Sequence, residues 1–165
     1  MQDPTDAQAY DYGLYLIQQS LAVTSLRTLA DYGGNHLLAE QLNYDQAEQL
    51  RQAEERIPHL NVEQRNAYDA IYDSVQRQAG ITFFVHGPGG TRKTFLYNTL
   101  CCALRGQGKV VLCIASSGIA SLLLIGGRTA HSRFKIPLQL FENSTCGISK
   151  GTLLAQLIQA ADVII

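Results

Sequence analysis

The sequence predicts an α/β fold in which a parallel sheet flanked by helices follows a helical N-terminal segment. Three observations carry this. At Gly80 the long helical periodicity gives way to short apolar runs. Beyond it, a β-branched and aromatic run at 81–85, a helical stretch at 93–105 and a second apolar run at 109–114 form a strand–helix–strand unit, the connection that makes neighbouring strands parallel. The charge divides at the same place. Residues 1–80 hold twelve Asp/Glu against five Arg, and residues 81–165 hold two acids against eight bases, although the chain sums to −1.

Composition narrows the classes. Apolar residues make up 46% of the 165 and charged residues 16%. The first figure is enough for a real core. The second, below the usual value of about 25%, argues against a disordered or coiled-coil chain. The longest apolar stretch, near residues 119–125, is far too short to span a bilayer. Met1, Gln2, Asp3, Pro4, Thr5 and Asp6 are polar and acidic, with no secretory or mitochondrial leader visible. Cys101, Cys102, Cys113 and Cys146 lack metal-type Cys-x-x-Cys spacing and are expected as reduced, buried thiols of a cytosolic or nuclear protein. The surplus of bases after residue 80 suits phosphate or nucleic acid, against the alternative that ordinary surface charge has segregated.

Taken in order, Tyr10, Leu14, Ile17 and Leu21 share one helical face, and residues 31–35 form a turn. A second helix turns Leu50, Ala53 and Ile57 inward and stops at Pro58, so residues 1–58 form the helical N-terminal segment and 59–165 the second domain. Asn61 opens a third helix with Ala67, Ala70, Ile71 and Val75 as its apolar stripe. Ile81, Thr82, Phe83, Phe84 and Val85 read as a buried strand. Gly106 and Gly108 end the helix at 93–105, and residues 109–114 read as a second buried strand. A helix near 119–124 breaks at Gly126 and Gly127, a polar loop crosses 142–150, a helix covers 153–160, and residues 162–165 read as a third buried strand.

The most informative segment is Gly87-Pro88-Gly89-Gly90-Thr91-Arg92-Lys93-Thr94, set between an expected strand and an expected helix. That is the context of a phosphate-binding loop. Glycines let backbone N–H groups close around phosphate oxygens. The helix N-terminus adds unpaired N–H groups and a positive dipole end. Lys93 would bridge the terminal phosphates and the Thr94 hydroxyl would ligate Mg²⁺, which makes these two the catalytic candidates. The strict pattern is G-x-x-x-x-G-K-S/T. Gly87, Lys93 and Thr94 fit it, but Arg92 stands where the second glycine belongs. A glycine there serves either a backbone conformation other residues avoid or a close approach of phosphate that a Cβ would obstruct. The competing reading is a tight strand-to-helix turn without a ligand.

Four segments, in order and spacing, resemble the N-terminal RecA-like domain of Pif-family (petite integration frequency) superfamily-1 DNA helicases, nearest to the branch carried by Helitron-type transposons. They are residues 60–71, with Asn61 and Gln64; the loop from Gly87 to Thr94; Ala115-Ser116-Ser117-Gly118-Ile119-Ala120; and Gly127-Arg128-Thr129-Ala130-His131-Ser132-Arg133-Phe134. The resemblance covers about residues 60–165, and residues 1–58 only loosely resemble the helical region that precedes the motor in transposon-type members.

The resemblance implies ATP and Mg²⁺ as cofactors, with Gln64 reading the adenine edge and Gly87, Pro88, Gly89, Gly90, Thr91, Arg92, Lys93 and Thr94 holding the phosphates. An amide suits a purine edge because it donates and accepts at once. The Asn61–Gln64 spacing equally makes a helix-capping box. The resemblance assigns Ser116, Ser117 and Gly118 to the single-stranded DNA backbone; the alternative is a plain strand–helix connection with serine as N-cap. Arg128, His131, Ser132, Arg133, Phe134 and Lys135 mix cations, hydroxyls and flat side chains as single-strand binding requires. Phe134 is also a common kind of core residue.

What the resemblance implies overall is 5′→3′ DNA unwinding driven by ATP hydrolysis, on single strands and duplex junctions, in the nucleus or a mitochondrion, with repair, recombination, telomere maintenance or transposition as its setting. In the family an Asp-Glu pair follows the apolar strand where this chain ends at Ile165; Asp162 is not that residue, since three apolar residues follow it. The chain is therefore expected to be the N-terminal part of such a helicase, a gene-model fragment or a decayed copy, and inactive alone. A nucleotide or single-strand binding module without catalysis is the second expectation. A GTPase is disfavoured because no Asn-Lys-x-Asp string occurs.

Overall fold

A computed structural model describes residues 35–165. The helix expected over Tyr10, Leu14, Ile17 and Leu21, and residues 31–34 of the expected turn, lie outside the described residues. Seven α-helices are described: α1 (His36–Leu42), α2 (Gln46–Arg56), α3 (Val62–Gln76), α4 (Lys93–Arg105), α5 (Gly118–Leu122), α6 (Ala130–Phe134) and α7 (Leu153–Gln159). The strands are β1 (Val111–Leu112), β2 (Ile114–Ala115), β3 (Arg128–Thr129) and β4 (Val163–Ile164). Helices mix with parallel strands, so the α/β class expected from the strand–helix–strand pattern stands.

The sheet is built on one central rail. Val111 and Leu112 pair in parallel with Val163 and Ile164, while Ile114 and Ala115 pair in parallel with Arg128 and Thr129. Bonds leave the rail in alternating directions: Leu112 O accepts from Ile165 N at 2.9 Å, and Cys113 O accepts from Arg128 N at 3.0 Å. Helices cover both faces of a parallel sheet, so its inner strand is apolar on both, and Val111, Leu112 and Cys113 are fully buried. Asp162 trims the rail's entry, accepting from Val110 N at 2.8 Å and pairing with Lys109 at 3.1 Å.

The strand expected at 81–85 is not formed. Its residues enter neither ladder, and Ile81, Phe83 and Phe84 are 59%, 39% and 89% exposed. Strand-forming composition expresses how well side chains suit a half-buried pleated surface, and that surface exists only beside a paired neighbour. The parallel pairing falls instead on the rail with β3 and β4. Residues 128–129, read from sequence only as part of a basic string, supply β3.

The core forms around α4. One face of α4, Leu96, Leu100 and Ala103, packs with Ala53 of α2 and with Tyr68 and Ile71 of α3. The other, Cys101 and Leu104, meets Val111 and Cys113 of the rail. Beyond the sheet, Leu38 of α1, Phe134 of α6 and Leu157 and Ile158 of α7 close a second layer over Val110 and Leu112. Asn35 joins α1 to α7, donating to Leu153 O at 2.8 Å. The buried stripe of α3 is Gln64, Tyr68, Ile71 and Ser74, with Ala67 and Val75 half-buried and Ala70, expected inward, exposed. Three cysteines are buried, and all four are unbridged.

Candidate functional site

Six of the seven described α-helices begin with a side-chain cap. Asn35, Asp45, Asn61, Ser117, Thr129 and Thr152 each accept a backbone N–H of the first turn. Only α4 has no side-chain cap, and it is the helix that follows the glycine loop. First-turn N–H groups have no intrahelical partner, so an uncapped N-terminus preceded by glycines suits an anion.

The loop holds itself in shape. Gly90 lies at φ +83, in the left-handed region. A Cβ at Gly87 would sit 2.8 Å from Thr91 Oγ1, so the loop closes more tightly than a larger residue allows. Thr91 Oγ1 donates to Pro88 O at 2.9 Å. The Lys93 ammonium donates to the carbonyls of Gly87 and Pro88, the second at 2.9 Å. Thr94 is half-buried in the first turn of α4, and Gly89 is exposed with open space where a Cβ would stand.

The conformational explanation for a glycine at this position applies to Arg92. Its backbone lies at φ 59 and ψ 33, the left-handed conformation that costs an L-residue about 1–2 kcal/mol. The position therefore calls for glycine on backbone grounds, and Arg92 adopts the glycine conformation nonetheless. Its guanidinium rests over the Phe95 ring, 4.3 Å from the centroid.

Gln64 is 9% exposed and committed at both ends of its amide. It forms the reciprocal capping box with Asn61, taking Asn61 N at 3.1 Å and giving its own N–H to Asn61 Oδ1 at 2.8 Å. Its Nε2 also reaches across to donate to Thr91 O at 2.9 Å. Gln64, Thr91, Lys93 and Gly87 line one cleft of about 520 Å³, with Phe83, Phe84 and Val85 on its rim. The cleft, the uncapped helix and the loop lysine together fit a nucleoside triphosphate with its metal.

The second candidate region sits at one edge of the sheet. Because β2 and β3 run parallel with Ala115 opposite Thr129, the chain leaves both strands at the same end, into Ser116 and into Ala130. Ser116, Ser117 and Gly118 are exposed, and Ser117 caps α5 by accepting Ala120 N at 3.2 Å. Arg128 is exposed and paired with Glu40 at 3.1 Å, Ser132 and Lys135 are exposed, and His131 is half-buried.

The profile of PIF1-like helicases matches residues 59–165. The chain belongs to the PIF1-like helicase family. It is 33% identical over 110 residues to the ATP-dependent DNA helicase PIF4 of Trypanosoma brucei brucei (strain 927/4 GUTat10.1), a match covering 64% of this chain and 13% of that protein. The chain thus spans a small part of the length of the curated relative it matches.

In this PIF1-like helicase sequence, two residues expected at the DNA lie inside instead. Phe134 is 3% exposed within the second core layer, and Arg133 is 5% exposed. Both sit on the buried side of a five-residue helix, while Arg128, Ser132 and Lys135 of the same string stay exposed. Burial and the nearby Arg128 push the Arg133 guanidinium below the usual arginine range. Sequence reasoning also missed Arg105, which is buried and donates to Ile125 O at 2.9 Å and Val111 O at 3.1 Å, with its guanidinium over Tyr44. A lone Arg at a helix end followed by Gly106 reads as a solvated terminal charge, and no local signal marks it as a clasp. Among the described residues no helix is long and apolar enough to cross a membrane.

Proposed function

We infer that this chain is the nucleotide-binding front of an ATP-dependent DNA helicase, a RecA-like P-loop domain whose parent protein couples ATP hydrolysis to 5′→3′ unwinding at single-strand–duplex junctions. The observation that carries the reading is the uncapped α4 N-terminus behind a glycine loop, with Lys93 and Gln64 in the same cleft. Bound Mg·ATP supplies the phosphoryl-transfer free energy. The chain's own residues do the holding. Backbone N–H groups of Gly87, Gly89, Gly90, Thr91 and Arg92 and of the first turn of α4 would face the phosphates, Lys93, now on its loop carbonyls, would hold phosphate oxygens, and the Thr94 hydroxyl would hold the metal. Gln64 retains one free proton and one free lone pair for a purine edge. Single-stranded DNA lies along Ser116, Ser117, Gly118, Arg128, His131, Ser132 and Lys135, with Arg133 and Phe134 supporting that edge from beneath. The nucleus is the compartment this role implies.

A second reading, a nucleotide and single-strand binding module without turnover, is favoured by Arg92, whose side chain stands where the family pattern has none. Titrating the 165-residue chain with Mg·ATP and with single-stranded oligonucleotides tests the common part of both readings. Absence of both interactions would remove them together, and ATP turnover by the chain would remove the second.

A further inference from the structure

The geometry points to Gln64 as a positioning residue of the phosphate loop, acting through the carbonyl of Thr91 rather than only on a nucleobase; the inference rests on the nucleotide reading of this cleft. Three observations converge on it. The carbonyl end of the Gln64 side chain is fixed by Asn61 N at 3.1 Å, so the amide plane cannot swing freely. The NH₂ end then reaches 27 residues along the chain to Thr91 O at 2.9 Å. Gln64 is also 9% exposed, so its end of the bond is shielded from water while Thr91 is exposed, and partial shielding strengthens a hydrogen bond.

The bond lands at a telling place. Thr91 immediately precedes the left-handed residue Arg92, where α4 begins. A trans peptide is planar, with its C=O and N–H pointing opposite ways. Turning the Thr91 carbonyl toward Gln64 therefore turns the Arg92 N–H away from it and fixes the loop's last peptide before the helix. Thr91 in turn holds Pro88 through its hydroxyl at 2.9 Å, so the tether is passed back into the glycine stretch. The capping box of α3 thereby acts as a rigid post for the loop. A loop rich in glycine loses more conformational freedom on ordering than other chain, and an external tether offsets part of that cost before any ligand arrives.

Two variants separate the tether from ordinary helix capping without adding charge. Gln64→Met removes both amide contacts. Asn61→Ala removes the cap on Gln64 N but leaves residue 61's backbone N–H to hold the Gln64 carbonyl, and so leaves the tether. In the full chain, backbone 15N order parameters over residues 89–92 should fall from about 0.85 toward about 0.6 in Gln64→Met and stay at the parent values in Asn61→Ala. Equal order parameters in both variants, or no change in either, would overturn the tether whatever the chain binds. Binding of Mg·tripolyphosphate, which has no base, should weaken in Gln64→Met by a similar factor to Mg·ATP. Weakening of ATP alone would assign Gln64 to the base and overturn the positioning role. If the parent chain bound neither ligand while the order parameters responded as expected, the nucleotide reading would fall and with it the positioning role.

Discussion

The guanidinium of Arg92 lies 4.3 Å from the centre of the Phe95 ring, so the cation added at the glycine position is held on the first turn of the helix it precedes. That contact offsets part of the strain at φ 59. A cation–π contact at an exposed site contributes about 0.5–1 kcal/mol, and left-handed backbone costs an L-residue about 1–2 kcal/mol.

Arg92→Gly should consequently change stability by no more than about 1 kcal/mol, since relieved strain is balanced by the lost ring contact and by glycine's freedom in the unfolded chain. Nucleotide affinity should rise, because the Cβ and long side chain leave the place where loop N–H groups approach phosphate. Adding Lys93→Ala should abolish the gain. Calorimetric titration with Mg·ATP, beside a thermal melt, measures both. Equal affinity for the parent and Arg92→Gly would show that the loop tolerates arginine.

Arg128 and Lys135 are the exposed cations at the sheet edge. Changing either to Ala should weaken single-stranded DNA binding by the same factor across sequences and flatten the dependence of log K on log salt by about 1. Arg133→Ala should instead leave the salt dependence unchanged, because its side chain is buried. Fluorescence anisotropy over a salt series separates the two outcomes. Strong base specificity would point to a sequence reader in place of a helicase.

A Cβ at Gly127 would stand 2.2 Å from Ser121 O and 2.9 Å from Leu124 Cβ. Gly127→Ala should destabilise the chain by about 1–3 kcal/mol, since backbone must move to admit it. Gly118→Ala, with open space at the Cβ, should leave the urea midpoint within about 1 kcal/mol of the parent. Similar losses in both variants would show that α5 and its exit turn are not packed as described.

Burial, with Tyr72 close by, pushes the Tyr68 phenol from the ordinary 10 up to about 12. Folding thus favours the neutral phenol. The contribution is fully present below pH 10 and is lost as pH rises through 12. Alkaline unfolding should begin above pH 10, and Tyr68→Phe should shift its onset upward. Denaturation followed by circular dichroism across that range is the measurement, and an unchanged onset would place the responsible group elsewhere.

Local signals in the sequence were enough for α4. Its apolar spacing, the glycine loop before it and Gly106 after it all act within a few residues, and the helix spans Lys93–Arg105 as read. The run at 81–85 shows the limit. Its residues suit a strand, but a ladder depends on backbone from distant segments, and composition does not say which segments arrive. Phe134 illustrates a second limit: the same ring serves stacking and core, and only the side of α6 it occupies decides. Gln64 was legible as a cap from its spacing to Asn61. Its bond to Thr91 needed three dimensions. Helix α1 was missed because seven residues show too little periodicity, although Asn35 at its start is a strong capping residue.

The packing of α2 on α4 has a consequence for how the molecule is divided. A Cβ at Gly106 would stand 2.6 Å from Leu50 Cγ and 3.0 Å from Leu50 N, so the backbones of the two segments nearly touch. Ala53 is sealed against α4, and Tyr44 covers the Arg105 guanidinium. A polypeptide begun at residue 59 would retain every position of the family match and still lack one wall of its interior. Cys102, whose thiol reaches Gln52, and Gly106, set against Leu50, would then lose that cover. The stretch that descent recognises and the stretch that can stand alone as a folded body have different starting points here, and an expression fragment should begin ahead of Asn35.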